Sequence, residues 1–170
     1  MKFRILTLIL LAHFCVTAQR KITPTDSFTI KGNIKKEKTL TVKQLDSFPK
    51  TKLEDRIIYN HKGEIKDTIR NIKGVSLKTI LKDVEFVYEK PKELNEFYFV
   101  LAASDGYKVV LSWNEIYNND LGNNFYFITE MDGKSLKDLE QRIVFVATSD
   151  IQTGRRYIKA LEKIEVKRIE

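Results

Sequence analysis

The sequence predicts an α+β domain of mainly antiparallel or mixed short strands with a few short helices. Three features carry that reading. Apolar and polar residues alternate in short runs broken by turn signals, as at Phe28, Ile30 and Ile34 or at Ile164 and Val166; this is the two-residue period of half-buried strands. Helical spacing occurs only over brief stretches, two of them opened by a Ser or Thr with capping-box spacing. Phe97 to Ala103 is apolar throughout, which suits a strand covered on both faces. Many short strands without long helices between them favour antiparallel pairing over a doubly wound sheet. There is no fixed-period repeat and no low-complexity tract.

In order, Phe28, Ile30 and Ile34 mark a first strand with a bend at Gly32, and Leu40 and Val42 a second. Thr41 and Gln44 have capping-box spacing, which predicts a helix from Val42 to Ser47, stopped before Pro49. Leu53 to Tyr59 and Ile65 to Ile72 read as strands around the Asn60-His61-Lys62-Gly63 turn, with Gly74 breaking the second. Leu77, Ile80, Leu81 and Val84 lie on one face of a helix behind Ser76. Pro91 falls in a polar loop. Asp105-Gly106 joins Phe97–Ala103 to a return strand, Lys108–Leu111. Ser112 and Glu115 form a second capping box over a short helix ending near Asn118, and Trp113 reads as a core anchor. Asn119 to Asn124 is a turn-rich loop. Strands are expected at Phe125–Thr129, Arg142–Thr148 and Lys163–Ile169, with a Met131–Lys134 turn and a basic turn at Gly154-Arg155-Arg156-Tyr157.

The start of the chain sets the expected compartment. Lys2 and Arg4 precede an apolar run from Ile5, and Val16-Thr17-Ala18 ends it. This matches a secretory signal peptide over residues 1–18 and is short for a membrane span, which needs about 20 apolar residues. Residues 19–27 are then a flexible lead-in, and residues 28–170 a single domain. The expected location is exported, periplasmic or secreted. Bulky Phe14 argues against lipid attachment at Cys15, the only cysteine of the chain, so the mature domain has no disulfide, thiolate nucleophile or cysteine metal ligand.

The 170 residues carry 30 Lys and Arg against 23 Asp and Glu. The basic residues are dispersed among acids, which suits a solvated surface and excludes a nucleic-acid groove as the expected partner site. No P-loop, dinucleotide glycine fingerprint, HExxH or Gly-x-Ser-x-Gly is present. No membrane span is expected beyond the leader.

Five pieces then stand in a recognisable order: Phe28-x-Ile30-x-Gly32; Thr39-Leu40-Thr41-Val42-x-x-Leu45; Gly74-Val75-x-Leu77-x-x-Ile80-Leu81; Ala103-x-Asp105-Gly106-Tyr107; and Gly154-Arg155-Arg156-Tyr157 with Leu161, Ile164 and Val166. In this order the chain resembles the molybdopterin-binding oxidoreductase domain of the sulfite oxidase family, in a short exported form, over nearly all of the mature chain. The resemblance implies the sulfite-oxidase-like molybdopterin-binding fold, with molybdopterin as the family cofactor. In that family a cysteine thiolate before the Gly-Val-x-Leu motif binds molybdenum. The corresponding stretch here is Ile57-Ile58-Tyr59-Asn60-His61, with Tyr59 at or beside the place of the missing ligand.

The candidate cofactor-binding residues are Tyr59, His61, Tyr107, Arg155 and Arg156. Tyr59 either lines the old cofactor cleft or packs in its strand. His61 is either a metal or anion ligand or a plain turn residue. Tyr107 either faces the cleft or only follows the Asp-Gly turn. Arg155 and Arg156 either hold an anion by bidentate hydrogen bonds or are solvated and partnered by Asp150 or Glu162. His13 belongs to the expected leader, so the mature domain's lone histidine makes a structural zinc site unsuitable, and no catalytic residue is singled out. The functional reading is a degenerate, non-redox binding module of the cell envelope that takes an anionic small molecule or a pterin. Its alternative is a molybdopterin-dependent oxidoreductase holding its cofactor without a cysteine ligand.

Overall fold

The computed structural model describes residues 21–169; the expected leader lies outside the described residues. Twelve strands follow one another among these: β1 (Ser27–Gly32), β2 (Lys38–Thr41), β3 (Thr51–Lys52), β4 (Arg56–Tyr59), β5 (Ile65–Ile69), β6 (Lys73–Ser76), β7 (Phe97–Ala103), β8 (Lys108–Ser112), β9 (Phe125–Met131), β10 (Lys134–Ser135), β11 (Val144–Ala147) and β12 (Leu161–Arg168). Three short helices, α1 (Val42–Ser47), α2 (Leu77–Leu81) and α3 (Trp113–Tyr117), and several 3₁₀ turns join them. The architecture is α+β.

One sheet has the order β2-β1-β12-β7-β8. Within it β1 runs parallel to β12, and the other neighbours are antiparallel. A second sheet has the order β10-β9-β6-β3, with β11 also paired to β9. The core lies between the two sheets. Phe28 of β1 stacks on Phe127 of β9 with ring centroids 5.1 Å apart, and Phe145 of β11 meets Phe127 edge-on at 5.7 Å. All three rings are buried. Such aromatic pairs add to plain apolar burial, each by about 1 kcal/mol.

The helices form where their caps stand. Thr41 and Gln44 close a reciprocal capping box on α1, and Ser112 and Glu115 close another on α3. Ser76 caps α2, whose Leu77, Ile80 and Leu81 are buried. Trp113 is half-buried against the core and packs on Tyr117. Gly32 has φ +106°, and a Cβ there would lie 2.1 Å from the Val166 carbonyl oxygen, so β1 bends where only glycine fits beside β12.

The fold departs from expectation in places where partners are distant in sequence. Gly74 does not break a strand: it lies inside β6, opposite Thr51 of β3 and Ile128 of β9. The strand expected to reach Ile72 stops at Ile69 as β5, and Gly74 belongs to a separate strand, β6, in another sheet. Leu53 precedes β4 instead of opening it. Pro91 begins a 3₁₀ helix, Pro91–Glu96, and Asp120–Asn124 forms another. The lead-in is hydrogen-bonded to the β7–β8 turn from residue 23. The Thr23 N–H donates to Ser104 Oγ at 3.0 Å, the Ser104 hydroxyl donates to the Thr23 carbonyl at 2.7 Å, and Thr25 bridges to Arg142.

Candidate functional site

Strands β4 and β5 pair only with each other, forming a two-stranded hairpin apart from both sheets. An isolated hairpin is marginal in water, and this one is docked by the 3₁₀ turn Thr153–Arg156. The buried Thr153 hydroxyl donates to the Ile57 carbonyl at 2.6 Å and accepts from the Tyr59 N–H at 3.1 Å. Gly154 follows with its Cα against the Tyr59 carbonyl oxygen, where a Cβ would lie at 2.0 Å. The hairpin tip is tied as firmly. Asn60 Oδ1 accepts from the Lys62 and Glu64 N–H groups at 2.8 and 3.0 Å, and Asn60 Nδ2 donates to the Glu64 carboxylate at 2.7 Å.

Between this hairpin, the β7–β8 turn and the loop after Gly154 lies a cleft of about 410 Å³. The hairpin contributes Tyr59, Asn60, His61 and Lys66; the turn contributes Ala103, Asp105 and Tyr107; the loop contributes Arg155, Tyr157 and Lys159; Ile22 of the lead-in closes one side. Four of the residues singled out in the sequence, Tyr59, His61, Tyr107 and Arg155, thus meet around one space. The Tyr107 hydroxyl donates to the Arg155 carbonyl at 2.6 Å, and the Tyr107 N–H donates to Asp105 Oδ1 at 2.9 Å. Partial burial raises the Tyr107 phenol above its ordinary pKa, with Asp105 adding to the rise and Arg155 opposing it. The phenol therefore stays a donor at neutral pH.

Arg156 does not join the cleft residues. Its Nε and Nη2 donate to the two Asp150 carboxylate oxygens at 2.8 and 2.5 Å, and its Nη1 donates to Glu115 at 3.1 Å. Its guanidinium also lies over the Phe125 ring, 5.0 Å from the centroid. Glu115 is the capping-box acid of α3, with its other oxygen on the Ser112 N–H at 2.7 Å. Arg156 is a structural brace between the Thr153–Arg156 turn and α3, partnered by Asp150 as one sequence reading has it. Arg142 is paired with Asp26.

The basic side chains of the cleft differ from that brace. No ion pair joins His61, Lys66, Arg155 or Lys159 to a described carboxylate, whereas Arg56 and Arg142 each have one and Arg156 and Arg168 two. The Arg155 guanidinium donates from Nε to neutral Gln152 at 2.7 Å. Lys159 Nζ lies 5.6 Å from the Tyr157 ring centroid. Convergent cations with tyrosine faces beside them suit an anion that has an apolar body. The described residues include no cysteine, and no three His, Cys, Asp or Glu of theirs group to hold an ion.

Sequence reasoning does not reach Lys66, Lys159, Tyr157 or Ile22 as cleft residues. Lys66 was open to detection, because it sits just across the turn from His61. Lys159 and Ile22 carry no local signal, since only the tertiary fold brings them together.

No protein-family model matches the chain, and no curated protein matches it. Solved structures do: 23 chains match. Among them is the crystal structure of the sulfane dehydrogenase SoxCD from Paracoccus pantotrophus, with TM-score 0.57 and 13% identity, covering 91% of this chain and 40% of that one. The relationship is a distant one of fold. The chain spans about two fifths of the length of that neighbour. No helix among the described residues is long and apolar enough to cross a membrane.

Proposed function

We propose that this protein is a sulfite-oxidase-like molybdopterin-binding-fold module of the cell envelope that binds an organic anion without redox chemistry. The observation that carries the reading is the cleft, where His61 and Lys66 of the hairpin and Arg155 and Lys159 of the loop converge, with Asp105 the one acid among the lining residues. The distant fold likeness to a sulfane dehydrogenase supports the fold part. The charged, apolar leader supports the envelope part.

The donor set argues against a thiolate-held molybdenum centre. The stretch that corresponds to the family ligand carries Tyr59, and its carbonyl is covered by Gly154. No step is routed through a metal. What the chain's own residues do is bind: the guanidinium of Arg155 and the ammonium groups of Lys66 and Lys159 offer charge-assisted hydrogen bonds, and Tyr59, Tyr107 and Tyr157 offer ring faces.

The test is elemental analysis for molybdenum and tungsten, with fluorescence of extracted pterin, on protein purified from its native host. The expected result is no stoichiometric metal, together with binding of a small aromatic anion that weakens in Arg155→Ala. Stoichiometric metal with pterin would overturn the reading in favour of an oxidoreductase that holds its cofactor without cysteine.

A further inference from the structure

The lead-in approaches the cleft as an ordered segment, and its attachment is unusually concentrated. One side chain, Ser104, takes both backbone polar groups of Thr23: it accepts from the N–H at 3.0 Å and donates to the carbonyl at 2.7 Å. Ser104 sits directly after Ala103 and beside Asp105 in the β7–β8 turn, and its own N–H donates to the Ala160 carbonyl at 3.0 Å. Farther along, Thr25 bridges to Arg142, Asp26 is ion-paired with Arg142, and the Asp26 carbonyl accepts from the Val42 N–H at 2.8 Å. These contacts hold Ile22, a half-buried aliphatic residue, in the wall of the cleft beside Ala103 and Tyr107.

An aliphatic wall adds nothing for a bare oxyanion, which gains only from charge and hydrogen bonds. It does add for a ligand with an apolar body, because area removed from water is favourable at about 25 cal/mol per Å². We propose that residues 22–26 form a strap whose Ile22 completes an apolar wall and selects organic anions with a flat ring over bare oxyanions, with Ser104 as the residue that positions the strap. This rests on the anion-binding reading of the same cleft.

The test uses 1-anilinonaphthalene-8-sulfonate as a ring-bearing anion and inorganic phosphate as a bare one. Both are titrated calorimetrically into the parent, Ser104→Ala and Ile22→Ser. Tryptic cleavage after Lys21, followed by mass spectrometry, reports the strap without any ligand. In the parent, phosphate displaces the dye. Both variants are expected to lose about fivefold in dye affinity, the equivalent of about 1 kcal/mol, while phosphate affinity changes less than about twofold. Ser104→Ala is also expected to speed cleavage after Lys21 by about fivefold, which a change in cleft chemistry alone would not do. Variants that bind the dye as the parent does, or dye that phosphate does not displace, overturn the strap. Equal loss of dye and phosphate affinity overturns it too, because selectivity is then absent. A parent that binds neither probe overturns the anion reading together with the strap.

Discussion

The Cα of Gly154 and the carbonyl oxygen of Tyr59 pack so closely that a Cβ on Gly154 would lie 2.0 Å from that oxygen. Backbone of the cleft loop thus rests directly on backbone of β4. The φ of Gly154 is not in the left-handed region, so the demand for glycine is one of space. Gly154→Ala is expected to destabilise the fold by about 3 kcal/mol, at the upper end for overpacking, because the obstacle is backbone on both sides. Urea unfolding monitored by Trp113 fluorescence measures it.

The two neighbouring arginines should separate cleanly. Arg156→Ala leaves Asp150, only 11% exposed, without its bidentate partner. It is expected to cost about 2–4 kcal/mol, near the range for breaking a buried pair. Arg155→Ala removes an exposed side chain and is expected to change stability by no more than about 0.5 kcal/mol, while reducing anion affinity. Thermal unfolding and calorimetric binding on both variants distinguish a brace from a ligand-facing charge. A result with the roles reversed would refute the assignment.

Anion binding in an open cleft is screened by salt. Affinity for a singly charged aromatic anion should fall steadily between about 20 and 200 mM NaCl, and Lys66→Gln should flatten that dependence. Titrations at several salt concentrations check both. A salt-independent affinity would mean that the cations are not the binding groups.

Alkaline stability follows from the buried phenols. Burial raises Tyr117 to about 12, and burial, with Asp67 and Asp132 nearby, pushes Tyr157 up further. In the unfolded chain a tyrosine loses its proton near pH 10. The folded state holds its proton longer, so the contribution to stability is full below about pH 10 and is lost as pH rises through 12. Tyr117→Phe has no proton to lose. It should therefore show a shallower fall in stability over that window than the parent does, which denaturant midpoints at a series of pH values measure.

Local chemistry was readable from the sequence. Thr41 with Gln44 and Ser112 with Glu115 cap their helices from three residues away, and Phe97–Ala103 is a strand to the residue. Asp105-Gly106 and the His61 turn sit where their short-range signals place them. Long-range choices were not readable. Nothing near Gly74 tells that it pairs with Ile128. Nothing local separates Arg155 from Arg156, adjacent residues of the same charge that a 3₁₀ turn aims in different directions. The cleft was half legible for the same reason. Tyr59 and His61 are neighbours of a visible turn, whereas Ile22 and Lys159 enter it only after the sheet has joined segments far apart in the chain.

The parallel pairing of β1 with β12 has a consequence for the order of assembly. Thr29 faces Lys163 and Ile30 faces Ile164, so β1 sits beside a strand made after the other described ones, and β12 in turn separates it from β7. A ribosome that has released β1, β2, β7 and β8 has made two antiparallel pairs with a gap between them. The edges of β1 and β7 stay unpaired until residues 161–168 slot in, and such edges invite association with other chains. Closure is thus a late, long-range event and should be slow relative to local pairing. Until then the nascent chain is the kind of substrate that a holding chaperone protects.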